Sequence, residues 1–374
     1  MKNLLFLGII AFLFGCTEEK SSSVPNYQIS FSEELSLDFG EVGMSSEVPF
    51  SISPLDEKNE SFLVFNTFYR RLDTVSFSPK KMRLAPGLEI PKEGPGSIPS
   101  FHTINYTEQG ILFFTANEFY YFENGETIKM KMTQVLNDGS GSMKAIAEAG
   151  GNGVFQPAPF KGDHLCLIIK DSKTEKFSLM KYDFESFTEI PFSFDYEQLN
   201  RQRISFEFGK GSTVSNSFSP FLTFADSLLI VSYPFMNKIS TVGLGDFEQS
   251  DFQYESTLFK TEKDQPEKNS GFNDWEEFVE IKNKWDDDVS YGVVYRLNER
   301  LMYRIVFESQ DESPKKFLEL FDSSLEKVGE FDLTAIQPKL KGFHITAEGK
   351  ILMQSSKDAD EDIFKYYLVS VDPQ

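Results

Sequence analysis

The side chains with chemical capacity are few. Three histidines serve 374 residues, and two recur in one setting, Phe101-His102-Thr103-Ile104 and Phe343-His344-Ile345-Thr346. Each imidazole stands at the start of an apolar, strand-like run. If both runs copy one repeated element, His102 and His344 approach a shared channel, where they would hold a metal ion or a ligand carboxylate. A duplicated structural residue leaves the same pattern, and no third ligand accompanies the pair, so no metal is assigned. Arg304 lies inside Leu301-Met302-Tyr303-Arg304-Ile305-Val306, and a guanidinium in an apolar strand needs either a partner or a cavity. Arg296 closes the preceding run. The chain's two tryptophans, Trp275 and Trp285, share one short segment. These six residues are the ligand-binding candidates.

No catalytic residue is assigned. The chain has neither the histidine-plus-acid spacing of a zinc hydrolase nor a nucleophile elbow. Gly209-Lys210-Gly211-Ser212-Thr213 lacks the first glycine of a phosphate-cradling loop and opens no helix, so it reads as a loop. Asp286-Asp287-Asp288 lacks the alternating ligands and the glycine of a calcium loop and reads as a solvated run. Carboxylates are abundant, and two at the right separation cleave glycosides. The enzyme alternative is therefore a glycan-active hydrolase or lyase using acids in a central channel. No cofactor is expected.

The elements that would position these residues are short β-runs broken by Asp, Asn, Gly and Pro clusters. One unit recurs: an acidic residue in a tight turn, one or two small or polar residues, then an apolar strand. It begins at Glu60, Glu108, Asp163, Asp226, Glu299 and Glu348. A further strand follows the copies, as in Phe119-Tyr120-Tyr121-Phe122, Leu318-Glu319-Leu320-Phe321 and Tyr366-Tyr367-Leu368-Val369. Antiparallel units repeated at such intervals predict an all-β fold, a β-propeller of six blades. Seven is the alternative if the longer fourth-to-fifth interval holds an extra sheet. The last unit ends at Gln374 without an outermost strand, and Tyr27–Phe31 or Leu35–Phe39 is the N-terminal strand expected to close it.

The fourth-to-fifth interval carries a helical insertion near 260–290. Asp274 and Glu277 have capping-box spacing, and Trp275, Phe278, Ile281 and Trp285 fall along one side of a short helix. That side either packs on the body of the protein or forms a lid or partner-binding knob, since aromatic anchors concentrate binding energy.

At the N-terminus, Met1-Lys2-Asn3 gives a positive charge, Leu4 to Phe14 is apolar, and Gly15 precedes Cys16. This is the pattern of a lipoprotein signal peptide over 1–15, too short for a membrane-spanning helix of roughly 20 residues. Cys16 is the expected lipidation site, with 16–26 a flexible tether and 27–374 the single propeller domain. Thr17 in place of Asp favours the outer membrane, and the periplasmic or cell-surface face stays open. With Cys16 acylated, Cys166 is the only remaining thiol and pairs with nothing. The formal charge of −21 argues against nucleic acid, whose phosphates need a basic footprint.

The leader, the loop Glu93-Gly94-Pro95-Gly96-Ser97-Ile98, and Tyr291-Gly292-Val293-Val294-Tyr295 followed by Arg300-Leu301-Met302-Tyr303-Arg304 resemble the Bacteroidota lipoproteins of the domain-of-unknown-function 4221 family. The resemblance implies a propeller-like fold in the cell envelope and brings no catalytic residue with it. The function expected is that of a lipid-anchored binding or interaction module whose partner is an envelope protein, a peptide or a glycan.

Overall fold

The computed structural model describes residues 26–38 and 52–54, residues 60–131 with short gaps, 143–145, 158–159, and 165–374 with short gaps. Residues 1–25 and His102 lie outside these, so the expected signal peptide, Cys16 and all but the last residue of the expected tether are among the residues not described.

The chain opens with β1 (Tyr27–Phe31) and β2 (Leu35–Asp38) and then lays down antiparallel sheets in sequence order. The first comprises β3 (Ile52–Pro54), β4 (Ser61–Asn66), β5 (Arg71–Ser78) and β6 (Lys81–Glu89). The second comprises β7 (Thr103–Thr107), β8 (Gly110–Phe114), β9 (Glu118–Glu123) and β10 (Glu126–Lys131). In the third, β11 (Met143–Ala145) and β12 (Ala158–Pro159) both pair with β13 (Leu165–Asp171), followed by β14 (Phe177–Tyr182) and β15 (Phe187–Ile190). Helix α1 (Tyr196–Arg201) then leads into an isolated hairpin, β16 (Arg203–Phe208) and β17 (Ser212–Ser217). The next sheet is β18 (Phe221–Ala225), β19 (Leu228–Ser232), β20 (Lys238–Gly243) and β21 (Gln249–Gln253). Helix α2 (Trp275–Asp287) precedes β22 (Ser290–Arg296), β23 (Leu301–Gln310), β24 (Ser313–Asp322) and β25 (Lys327–Asp332). Helix α3 (Leu333–Ile336) leads to the last sheet, β26 (Leu340–Ala347), β27 (Lys350–Ser355) and β28 (Ile363–Pro373).

The six recurrent sequence units become β4, β8, β13, β19, β23 and β27, the second strand of each large sheet. These strands read as apolar runs, interrupted in β23 by Arg304 and Glu308, because they are covered on both faces, as in β4, β19 and β27. Apolar layers join successive sheets. Phe62, Val64 and Val75 meet Leu352, Phe364 and Leu368, and Leu63, Phe65 and Leu72 meet Ile104, Phe113 and Tyr120. Cys166, Ile168 and Leu179 meet Leu222, Leu229 and Val231. Ile230 and Ile239 meet Val294, Met302 and Phe321, while Tyr303, Ile305 and Leu318 meet Ile351, Met353 and Val369. First strands lie beside first strands: β3 by β7, β7 by β12, β12 by β18, and β18 by β22.

Both N-terminal segments complete the last sheet. β1 pairs with the far half of β28, Ile29 opposite Val371, and β2 with its near half, Leu37 opposite Phe364. Asn26 and Gln374 meet beyond them, the Asn26 Nδ2 donating to Gln374 Oε1 at 2.8 Å.

Two expectations are corrected. The additional sheet falls between the third and fourth units, whereas the fourth-to-fifth interval holds α2 and irregular chain. Within the stretch read as a loop, Ser212 and Thr213 are strand, opposite Phe208 and Glu207. Their polarity hides them from a search for apolar runs.

Candidate functional site

Two insertions come together on one face of the molecule. In a four-stranded meander, the turn between second and third strands and the exit to the next sheet leave from the same end. The hairpin β16–β17 and the segment from Tyr254 to Val289 are both such exits. They are joined by the Ser205 N–H donating to Asn269 O at 2.9 Å. The second insertion is tied to the β19–β20 turn by Lys263 N–H to Phe235 O and Asn237 N–H to Thr261 O, each 2.8 Å.

Helix α2 forms because Asp274 caps it. Its Oδ1 accepts the Glu277 N–H at 2.8 Å, and the Glu277 carboxylate reaches back to the Asn273 N–H at 2.6 Å. The expected apolar side exists, and it divides. Phe278 and Trp285 are buried against Ile204 and Phe218, with Ile281 half-buried beside them. Trp285 Nε1 donates to Gln202 Oε1 at 3.0 Å, and Gln202 Nε2 donates to Lys263 O at 3.1 Å. The buried Lys263 ammonium donates to Asp288 O at 3.2 Å, at the helix C-terminus, where a cation is favoured. It lies 5.2 Å from the Phe218 ring centre and 5.8 Å from that of Trp285. Burial pulls its pKa down to about 8, against the lifting effect of Asp288, Asp286 and Asp287.

Trp275, by contrast, is 43% exposed, where Trp285 is 4%. It stacks on Phe278 at 5.0 Å and meets Phe208 at 5.2 Å and Phe206 at 5.5 Å. Phe208 and Val214 are also exposed, and Val214 is the cross-strand partner of Phe206. The result is a solvent-facing aromatic shelf on a pinned base. One tryptophan of the expected pair anchors the helix, and the other is presented.

The remaining candidates are elsewhere. Arg304 has the partner its setting demanded: Nε donates to Glu319 Oε2 at 3.0 Å, and Nη2 donates to Glu319 and to Asn237 Oδ1. Asn237 Nδ2 and Lys327 Nζ reach Glu319 Oε1 at 3.0 and 3.1 Å. Arg304 and Glu319 have no solvent exposure, so the guanidinium braces two sheets and offers no surface to a ligand. This replaces the ligand-contact expectation for Arg304. Lys327 continues to Glu330, whose carboxyl burial lifts but Lys327, Thr257 and Ser256 hold down at about 2.

His344 packs against the neighbouring sheet. Its ring lies among Tyr295, Tyr303 and Phe307 of the neighbouring sheet, at 5.7, 6.0 and 6.2 Å. Burial pushes its pKa down to about 4, against the raising effect of Gly342 O, which is 3.0 Å from Nδ1. The ring is therefore a neutral packing element at pH 7. Arg296 is exposed at the end of β22, its Nε donating to Asn298 O at 3.2 Å. His102 is among the residues not described, so its relation to His344 has no structural reading. Cys166 is buried in β13, and burial pushes its thiol up to about 12, the ordinary state of an inert core cysteine.

Sequence reasoning missed Phe206, Phe208, Val214, Gln202 and Lys263. The period-two alternation of Ile204, Phe206 and Phe208 was the available signal.

No protein-family model matches the sequence, and no curated protein does. Among solved structures the chain is similar to a luciferin-regenerating enzyme, at 8% identity and TM-score 0.43, covering 90% of this chain and 95% of that one. It is similar to a putative 6-phosphogluconolactonase from Bacteroides fragilis, at 9% identity and TM-score 0.35, covering 80% and 74%. A third similarity is to apo AztD from Citrobacter koseri, at 10% identity and TM-score 0.32, covering 82% and 94%. Similarities this distant say nothing about activity.

Proposed function

We propose that the protein is a binding module of the bacterial cell envelope, held at the outer membrane by lipid on Cys16, and that it engages its partner through the Trp275 shelf. Its six large sheets form one closed propeller, with the β16–β17 hairpin as an addition to one face. Support for the ring comes from the apolar layers between successive sheets, the side-by-side first strands, and the pairing of β1 and β2 with β28. The envelope reading rests on the leader before Cys16 and on the resemblance to the 4221 lipoproteins.

One observation carries the binding role: Trp275 and Phe208 stay exposed although the surrounding helix and hairpin are pinned by Trp285, Gln202 and Lys263. Exposed large aromatics on a rigid base lose little conformational entropy when covered. A channel enzyme finds less support. Of the three buried carboxylates among the described residues, Asp73, Glu308 and Glu319, two are engaged by arginine, Glu319 by Arg304 and Asp73 by Arg71.

Detergent-solubilised envelopes passed over immobilised protein test this role. A species retained by the wild type and lost from Trp275→Ser/Phe208→Ser, but not from Leu88→Ser/Ile128→Ser, supports it. Equal retention on all three proteins refutes it. Protease treatment of intact cells, with a Cys16→Ala control, separates a surface location from a periplasmic one.

A further inference from the structure

The hairpin beside the shelf has one edge in use and one edge bare. β16 is covered at Ser205, whose N–H donates to Asn269 O. That bond fixes the pattern of the ladder. An N–H that points out of the hairpin belongs to a non-hydrogen-bonded pair, so Ser205 and its partner Ser215 both direct their backbone groups outward. The same follows two residues away for Glu207 opposite Thr213 and Arg203 opposite Ser217. Thr213, Ser215 and Ser217 therefore present N–H and C=O groups along the outer edge of β17. Among the described residues no strand pairs with that edge.

Sheet edges are usually blunted by charge or proline. β6 carries Lys81, Arg83 and Pro86, β10 Lys129 and Lys131, β15 Glu189, β21 Asp251, and β25 Lys327 and Glu330. β17, Ser-Thr-Val-Ser-Asn-Ser, has neither charge nor proline, a lack shared among the sheet-end strands by β1, β7 and β18, of which β7 and β18 lie beside the first strands of neighbouring sheets. Bare groups at alternate residues repeat every ~6.8 Å, the spacing of a polypeptide in extended form. A glycan has no such repeat of donors and acceptors.

We infer that the partner enters as an extended peptide that adds a strand to β17, its alternate apolar side chains covering Val214 and the shelf and its remaining positions basic. This deepens the binding role proposed above and rests on it. The charge preference comes from the exposed carboxylates of Glu207, Asp274, Glu276 and Glu280 around the hairpin and helix start, on a chain of formal charge −21. A second copy would bring the same carboxylates edge to edge. Strand addition draws its affinity from backbone bonds and its selectivity from alternate side chains.

The probe is a fluorescent decapeptide alternating Lys and Val, with a Glu/Val counterpart, titrated by anisotropy into the full mature chain. Ser215→Pro removes one outward N–H and no hairpin bond, and unchanged circular dichroism and Trp285 emission show that it folds. The Lys/Val peptide is expected to bind at least about tenfold more tightly than the Glu/Val peptide, and Ser215→Pro to weaken it by at least about tenfold. Amide exchange at Thr213, Ser215 and Ser217 should slow in the complex. Binding lost in Trp275→Ser but unchanged in Ser215→Pro overturns strand addition and leaves the shelf reading standing. No binding, or binding indifferent to both variants, overturns both for peptides. Sedimentation showing a dimer that Ser215→Pro dissolves makes a second copy the occupant and overturns the inference. A soluble glycan bound through Trp275 and indifferent to Ser215→Pro does so as well.

Discussion

Replacing Glu319 by Gln keeps the size of the side chain and removes the one charge that balances Arg304 between two sheets. Glu319 accepts from Arg304 Nε and Nη2, from Asn237 Nδ2 and from Lys327 Nζ. Lys327 keeps Glu330, at 2.6 Å, and Asn237 can turn to other neighbours. Arg304 cannot escape, because its side chain has no solvent exposure, and the neutral Asn237 Oδ1 and the faces of Tyr291 and Phe321, at 4.9 and 5.5 Å, which remain beside it, do not balance its charge. An uncompensated buried charge of this kind costs about 3–5 kcal/mol. With a urea m-value near or above the top of the ~1–3 kcal/mol/M range for small proteins, the midpoint falls by roughly 1 M. The assay is urea unfolding followed by circular dichroism, with Glu197→Gln as control. Glu197 pairs with Arg201 at the surface, with exposures of 73% and 43%, and its loss is worth at most about 0.5 kcal/mol. Arg304→Met/Glu319→Leu should destabilise far less than the two single changes added together, since no charge is left stranded. A Glu319→Gln midpoint no lower than that of the control, or strict additivity in the cycle, would refute the assignment of Arg304 as an inter-sheet brace.

The His344 ring, neutral and set among aromatics, gives a second expectation. Its folded pKa of about 4 lies below the ordinary 6.5, so the unfolded chain takes up a proton first as pH falls. Stability should decline between about pH 6.5 and 4, and His344→Phe should flatten that segment of a pH series of urea midpoints. Lys263 acts in the opposite range. Its pKa of about 8 lies below the ordinary 10.5, so the folded state gains stability as pH rises from about 8 to 10.5. In Trp275→Phe, the emission of Trp285 should titrate near pH 8, and a flat profile from pH 6 to 10 would count against the buried ammonium. Removing residues 27–38 bares the outer edge of β28, which should lower the thermal midpoint and promote association on size-exclusion chromatography; an unchanged monomer of unchanged stability would contradict the edge-covering role of β1 and β2.

The repeated sheets were legible because each second strand is buried on both faces and so spells an apolar run after an acidic turn. The closing strands were legible because the last unit visibly lacks an outer partner, although both candidate segments are used, on successive halves of β28. Arg304 announced that it needed a partner. Which residue supplies it depends on the register of the β23–β24 hairpin, Arg304 opposite Glu319, and register is a property of the turn and the faces together. The hairpin β16–β17 escaped notice because half of it is serine, threonine and asparagine, residues equally at home in loops. Its significance comes from what it lacks, a charge or a proline on the bare edge. The division of labour between Trp275 and Trp285 was not legible at all. Both fall on the apolar side of one helix, and only the position of Phe218, Gln202 and Lys263 decides which is covered.

The Trp275 shelf is proposed as the partner-binding face. A photo-crosslinking phenylalanine analogue at Phe208, in cells producing the full chain with Cys16 intact, tests it most directly, with the same analogue at Ile128, an exposed position on another sheet, as reference. A discrete adduct is expected at position 208, absent at 128 and lost on adding Trp275→Ser. Equal labelling at the two positions, or no adduct at 208 in cells where the protein is folded, would contradict it.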